Sequence, residues 1–243
     1  MNKTGFILKG ILVLLLLLQL PACNRDQNVQ SGQNAPASMA TDPQSPGAAQ
    51  HQPSVETTSQ ATNPSTRELH LNESQTRQQQ FWIRLSEHCG EAFEGRLHSA
   101  APGFDLLQGH ERVVVHMRSC SDFEIRLPFH IETEPGVWDR SRTWVFFNHG
   151  ADGLELRHDH RYEDGTEEES TWYGGEAIEG EASWQRFAYP PRIEELGFFA
   201  GWRIEIEPGS RYTYGTMRDD EWTFRVDFDL TRPVDPPPPP WGF

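Results

Sequence analysis

Trp222, Phe224, Val226, Phe228 and Leu230 alternate with Glu221, Thr223, Arg225, Asp227 and Asp229. A strict two-residue period of this kind describes a β-strand with one face in a core and the other in water. The same period recurs. Phe123, Ile125, Leu127, Phe129 and Ile131 oppose Glu124, Arg126 and His130, and Trp202, Ile204 and Ile206 oppose Arg203, Glu205 and Glu207. Weaker alternation marks further strands at 93–98, 112–119, 142–149, 153–162, 166–173, 181–188 and 210–217.

About ten consecutive strands with short polar turns predict a mainly β fold built as an antiparallel meander. A closed, lipocalin-like barrel removes the exposed edges of such a sheet, and a β-sandwich is the alternative. One helix is expected ahead of the strands. Ser74 is placed to cap it, Phe81, Trp82, Leu85 and Cys89 recur at helical spacing, and Gly90 supplies the stop. A second, short helix is expected over Pro190–Gly197, entered by proline and ended by glycine.

The β-rich domain therefore spans 81–232, and the flanking segments read differently. Lys3 and Lys9 precede an apolar run from Gly10 to Leu18, which is too short for a bilayer span. Leu20-Pro21-Ala22-Cys23 resembles the lipobox of bacterial lipoproteins. The resemblance implies a signal peptide over 1–22, diacylation of Cys23 and a membrane anchor through lipid. Asn24 stands where aspartate would resemble an inner-membrane retention signal, so the expected location is the outer membrane. Residues 23–80 are rich in Gln, Ser, Ala, Pro, Thr and Asn. Such a segment buries too little surface to offset its ordering entropy and is expected to be a disordered tether. The tail over 233–243, with five prolines from Pro236 to Pro240, is expected to be a disordered polyproline-II segment.

The chain is formally −15, from 21 basic and 36 acidic residues, and no lysine follows Lys9. Residues 81–243 hold 16 Arg and 31 Asp or Glu, so this part alone is also −15. An acidic surface argues against nucleic acid and anionic lipid as partners. It leaves a small molecule, a protein ligand or a divalent metal open, on a domain expected to be monomeric. Setting Cys23 aside leaves Cys89 and Cys120 as an even pair, which in an oxidising compartment predicts a disulfide.

One constellation carries chemistry. The segment from Gly153 to Tyr173 reads as a hairpin about Asp164-Gly165, a favoured two-residue turn. That turn predicts that His160 faces Glu169, His158 faces Thr171, Tyr162 faces Glu167 and Arg161 faces Glu168, with Arg157 over Trp172. Leu154 and Leu156 point to the core, so His158, His160 and Tyr162 follow them inward. His116 and His149 are also placed to point inward on their strands, and His130 outward. Two histidines two apart on a strand with a carboxylate opposite fit a metal site made by His158, His160 and Glu169. The same group fits the polar end of a ligand cavity lined by His158, His160, Thr171 and Tyr162, and structural or surface roles, with Glu169 hydrogen-bonded to one histidine, are the leading reading of such a pattern. No nucleophile is set up beside a base, and no Rossmann, P-loop, Gly-x-Ser-x-Gly or His-Glu-x-x-His pattern occurs.

Cys89-Gly-Glu-Ala-Phe-Glu-Gly95, Arg118-Ser-Cys120, Asp139-Arg-Ser-Arg-Thr-Trp144 and His158-Asp-His-Arg-Tyr-Glu-Asp-Gly165 resemble segments of a group of uncharacterised secreted bacterial proteins. That resemblance spans about 81–231 and implies no activity. The functional expectation is an envelope lipoprotein whose β-domain binds a ligand or partner without catalysis. A metal-dependent periplasmic enzyme using the two histidines and Glu169 is one alternative, and a structural envelope component is another.

Overall fold

The computed structural model describes residues 64–243. Eleven strands follow one another: β1 (Ala92–Ala100), β2 (Arg112–His116), β3 (Ser119–Cys120), β4 (Glu124–Glu134), β5 (Val137–Asn148), β6 (Leu154–His160), β7 (Tyr173–Glu181), β8 (Trp184–Ala188), β9 (Ala200–Glu207), β10 (Arg211–Arg218) and β11 (Glu221–Val234). From β4 to β11 each strand pairs antiparallel with the next, and β11 pairs with β1. β2 then pairs with both β1 and β4, which closes a ten-strand barrel. The short β3 continues along the same edge of β4. The meander is thus a barrel and not a sandwich. Of the strands expected from alternation, the one at 166–173 is displaced: the chain enters β7 only at Tyr173.

Alternation sorts the barrel wall as its chemistry requires. Ile125, Leu127, Phe129, Trp144, Phe146, Ile204, Phe224 and Val226 belong to one buried core, while Arg225, Asp227, Glu124 and Arg126 lie between them on the outer side. Apolar inside and charged outside is the reverse of the sidedness of a barrel that meets lipid.

One end of the barrel is filled by α1 (Pro64–Ser86), which packs against β7, β8 and β9. Phe81, Trp82 and Leu85 enter the core, each at most 4 % exposed. The helix begins ten residues ahead of Ser74, so that serine lies within it and does not cap it. The last part of the segment expected to be a tether is helical, because the stripe at 81–85 anchors a helix that then extends into polar sequence. Cys89 follows the helix and sits at disulfide distance from Cys120 on β3 (S–S 2.12 Å). Cys23, the signal segment and the tether up to residue 63 lie outside the described residues.

Because successive strands run up and down, every second connection gathers at the opposite end. There stand the loop 101–111, the Pro135-Gly136 turn, the loop 161–172, α2 (Pro190–Leu196) and the Asp219-Asp220 turn. α2 is the expected short helix, ended by Gly197 in the left-handed region at φ 76°.

The C-terminal tail is not a disordered appendage. Val234 still pairs with Ala92 on β1, and five residues later the Pro239 carbonyl accepts from Arg140 Nη1 on β5 at 2.7 Å. From Val234 on β11, four strand spacings across β1, β2 and β4 reach β5, roughly 19 Å, which five polyproline-II residues of about 16 Å and the extended Arg140 side chain span together. The tail therefore crosses the outer face where β2 closes on β4. The Trp241 N–H donates to the Arg140 carbonyl, and the Phe243 ring lies 5.1 Å and 5.2 Å from the guanidiniums of Arg126 and Arg161. Pro237 and Pro240 are buried. So are the outward-facing His130, Thr143, Val145 and Asp159, which an uncovered outer wall would leave in water. The physical reason is that proline has little freedom to lose, so a polyproline strap orders at low entropic cost.

Candidate functional site

The hairpin that carries His158 and His160 folds with a different loop and register from those the Asp164-Gly165 pair predicts. The Gly165 N–H donates to the Tyr162 carbonyl, and the Tyr162 N–H donates to the Thr166 carbonyl. With Gly165 at φ 87° this is a three-residue loop. The Asp164 carboxylate accepts from the Thr166 N–H and hydroxyl, which holds its pKa below the usual carboxylate range. Arg161 then bridges to Glu167, while Glu168 N–H and Trp172 N–H donate to the carbonyls of His160 and His158. Four residues on one arm thus match two on the other. The two-residue excess is taken up within Glu169–Thr171, which form a bulge, and Trp172 turns the chain back at φ 55°.

Beyond the bulge His158 pairs with Tyr173, not Thr171. Gly174 and Gly175 lock this register. A Cβ on Gly174 would lie 1.9 Å from the Leu156 carbonyl oxygen, and one on Gly175 would lie 1.8 Å from that of Ala188. Only glycine admits so close an approach of three strands. The shift at the pair is two residues, so side-chain parity survives and both histidines point inward as expected.

His158 is the centre of the buried group. Its Nδ1–H donates to the Tyr173 carbonyl at 3.3 Å, and the Tyr214 hydroxyl donates to its Nε2 at 2.7 Å. The imidazole also stacks on Tyr173 with centroids 4.7 Å apart and planes within 5°. Burial pushes its pKa down to about 3. His160 lies next along the strand with Nε2 3.0 Å from the Tyr173 hydroxyl. Burial, then the nearby Arg142 charge, lowers its pKa to about 4, and burial raises the Tyr173 phenol to about 12. At neutral pH the site holds neutral imidazoles and neutral phenols.

These groups line a cavity of about 170 Å³ in the end of the barrel away from α1. Its walls are mainly aromatic: Trp144 stacks on Tyr214 at 3.8 Å and on Phe129 at 5.0 Å. Arg142 is the one cationic residue on the wall, and no carboxylate lines it. Phe104, from the loop 101–111, closes it by stacking on Phe224 at 4.5 Å. Phe104, Trp202 and Thr216 also line a pocket of about 300 Å³ at the barrel mouth.

The other expected site residues part from the histidines. Glu169 is exposed on the bulge and Tyr162 is 49 % exposed at the hairpin end. The Thr171 hydroxyl accepts from the His160 backbone N–H at 2.8 Å and does not line the cavity. The carboxylate nearest His160 is Glu168, at 3.9 Å from Nδ1. Arg161 pairs with Asp159 and Glu167, not Glu168, and Arg157 pairs with Glu155 and donates to the Trp172 carbonyl. Among the described residues no three His, Cys, Asp or Glu side chains gather as a metal set. With His158 Nε2 bonded to Tyr214, the donor set expected for a divalent metal does not form. His116 lies on the outer side of β2, and His149 sits in the turn after β5 with Nε2 2.9 Å from Glu155. His130 points outward, as expected.

Arg142, Trp144, Trp202 and Tyr214 were not singled out from sequence as site residues. Arg142 did carry a signal, since it shares the inward parity of Trp144 and Phe146 and a charged residue on an apolar face is informative. The comparisons with family models, with curated proteins and with solved structures find no match, so the geometry of this cavity alone carries the functional reading.

Proposed function

We propose that this chain is an envelope lipoprotein whose barrel holds a small, mainly apolar ligand without transforming it. The observation that carries the reading is the aromatic-lined cavity, with a few convergent polar groups, under the loop 101–111. Neutral His158, with both ring nitrogens already bonded to Tyr173 and Tyr214, is not set up for proton transfer at neutral pH. The lipobox-like Leu20-Pro21-Ala22-Cys23 and the paired Cys89 and Cys120 support an anchored protein of an oxidising compartment.

Two measurements test this. A ligand of the folded state raises stability in proportion to RT ln(1 + [L]/Kd). Thermal denaturation of the full chain against apolar solutes of graded size, from benzene to decanoate, should therefore show saturable stabilisation by at least one. A flat response across the series would leave a structural barrel as the better account. Metabolic labelling with a palmitate analogue should mark the chain and be lost in Cys23→Ser.

A further inference from the structure

We infer that the cavity selects a compact aromatic acid, one ring or two fused rings bearing a carboxylate, with the anion on Arg142 and Phe104 closing behind it. The inference rests on the ligand-carrier reading above and adds the chemical class of the ligand.

Size sets the upper limit. An apolar cavity of about 150 Å³ accepts benzene, so about 170 Å³ accommodates one ring or two fused rings. A long acyl chain or a tetrapyrrole exceeds it. Shape narrows the class further. The rings of Phe129, Trp144 and Tyr214 form consecutive slabs with interplanar angles of 14° and 15°. A flat ligand extends such a stack, whereas a branched aliphatic one does not.

Charge decides the substituent. In a part of the chain with 31 carboxylates and 16 guanidiniums, no carboxylate lines either the cavity or the mouth pocket. Arg192 and Arg218 stand at the mouth and Arg142 inside. Arg192 Nη1 is paired with Glu195. Arg142 Nη1 donates to Asp139 at 2.5 Å and to Ser141 at 2.9 Å, which fixes the guanidinium. An arginine has five N–H donors, so Nε and Nη2 keep three beyond those two bonds. Two parallel N–H groups match a carboxylate, and cations at an entrance steer an anion inward. The His160–Tyr173 pair beside Arg142 is neutral, and the carboxylate paired with Arg142, Asp139, engages Nη1 and lies outside the cavity lining.

Phe104 is the gate. It lies on the one connection whose side chains line both the inner cavity and the mouth pocket. Turning its ring off Phe224 joins the two spaces.

The test is a titration of the full chain, followed by tryptophan fluorescence and calorimetry, with 1-naphthoate, 1-naphthamide and decanoate. The amide keeps the rings and removes the charge. We expect naphthoate to bind at least tenfold tighter than naphthamide, with decanoate weakest. Arg142→Gln should erase the tenfold difference while leaving amide binding, and Arg142→Lys should restore part of it. Phe104→Ala should speed naphthoate association and dissociation. Equal binding of naphthoate and naphthamide by the parent chain, or tighter binding of decanoate, overturns the aromatic-acid inference and leaves the carrier reading standing. Absence of binding by all three overturns the aromatic-acid inference, and the carrier reading falls with it when the graded apolar series also gives a flat thermal response.

Discussion

The Tyr214 hydroxyl lies 2.7 Å from His158 Nε2, across the barrel from β10 to β6, and completes the hydrogen bonding of an imidazole only 2 % exposed. A buried acceptor left without its donor costs about 1–3 kcal/mol. Tyr214→Phe should therefore lower stability by that amount and reduce Tm by several degrees. The double variant His158→Phe/Tyr214→Phe, which removes the polar ring as well, should cost less than the sum of the two single changes. Strict additivity in chemical denaturation would show that the two side chains are not coupled.

Stability should fall as pH is lowered from about 6.5 towards 4. His158, His160 and His130 all have folded pKa values pushed down by burial, to about 3, 4 and 4. The unfolded chain takes up protons near 6.5, while the folded one resists until its own lower values. Their contribution is complete above pH 6.5 and is lost on acidification through that window. Comparing Tm at pH 7.5 and 4.5 checks the sign. His130→Phe should flatten the acid limb. At pH 7.5 it should not destabilise, because neither ring nitrogen of His130 has a hydrogen-bond partner among the described residues and replacing an unsatisfied buried group is close to neutral.

Removing residues 235–243 should loosen the barrel at its seam. The strap supplies buried Pro237 and Pro240 and the Pro239–Arg140 bond, and lays Phe243 over the Arg126 and Arg161 guanidiniums. At about 25 cal/mol per Å² of apolar surface the loss is a few kcal/mol. Amide exchange should accelerate first at the β2–β4 pairs, Val113↔Ile131 and Val115↔Phe129. Unchanged protection there would mean that the tail lies on the barrel without stabilising its closure.

The bulge makes opposite predictions for neighbouring residues. Gly174→Ala should destabilise by more than about 2 kcal/mol, since the added methyl meets the Leu156 carbonyl and backbone cannot yield. Glu169→Ala, on an exposed extruded residue, should stay within about 0.5 kcal/mol. A large effect of Glu169→Ala on stability or on zinc binding would restore the in-register hairpin and its metal site.

Reducing Cys89–Cys120 should cost a few kcal/mol, the value for a loop of this length. The bond ties the end of α1 to β3, so the loss should appear as early fraying of the helix in circular dichroism.

Local pattern determined much of this protein. The period of two in 123–131, 202–206 and 222–230 dictated strands, their number and polarity dictated a meander, and parity alone put His158 and His160 inside. Parity is robust because a two-residue slip preserves it. What the hairpin histidines face was not readable, because the Asp164-Gly165 turn controls only its nearest pairs. Register beyond the bulge is decided by Gly174 and Gly175 packing against Leu156 and Ala188, contacts made with β6 and β8. The strap was illegible for a related reason. A proline run looks the same in water and on a surface, and only the closed wall of β2, β4 and β5 decides which it is. The cavity likewise exists only once Arg142, Tyr173, Trp202 and Tyr214 from four strands converge. No spacing along the chain encodes that convergence, because barrel closure, through pairs distant in sequence, creates it.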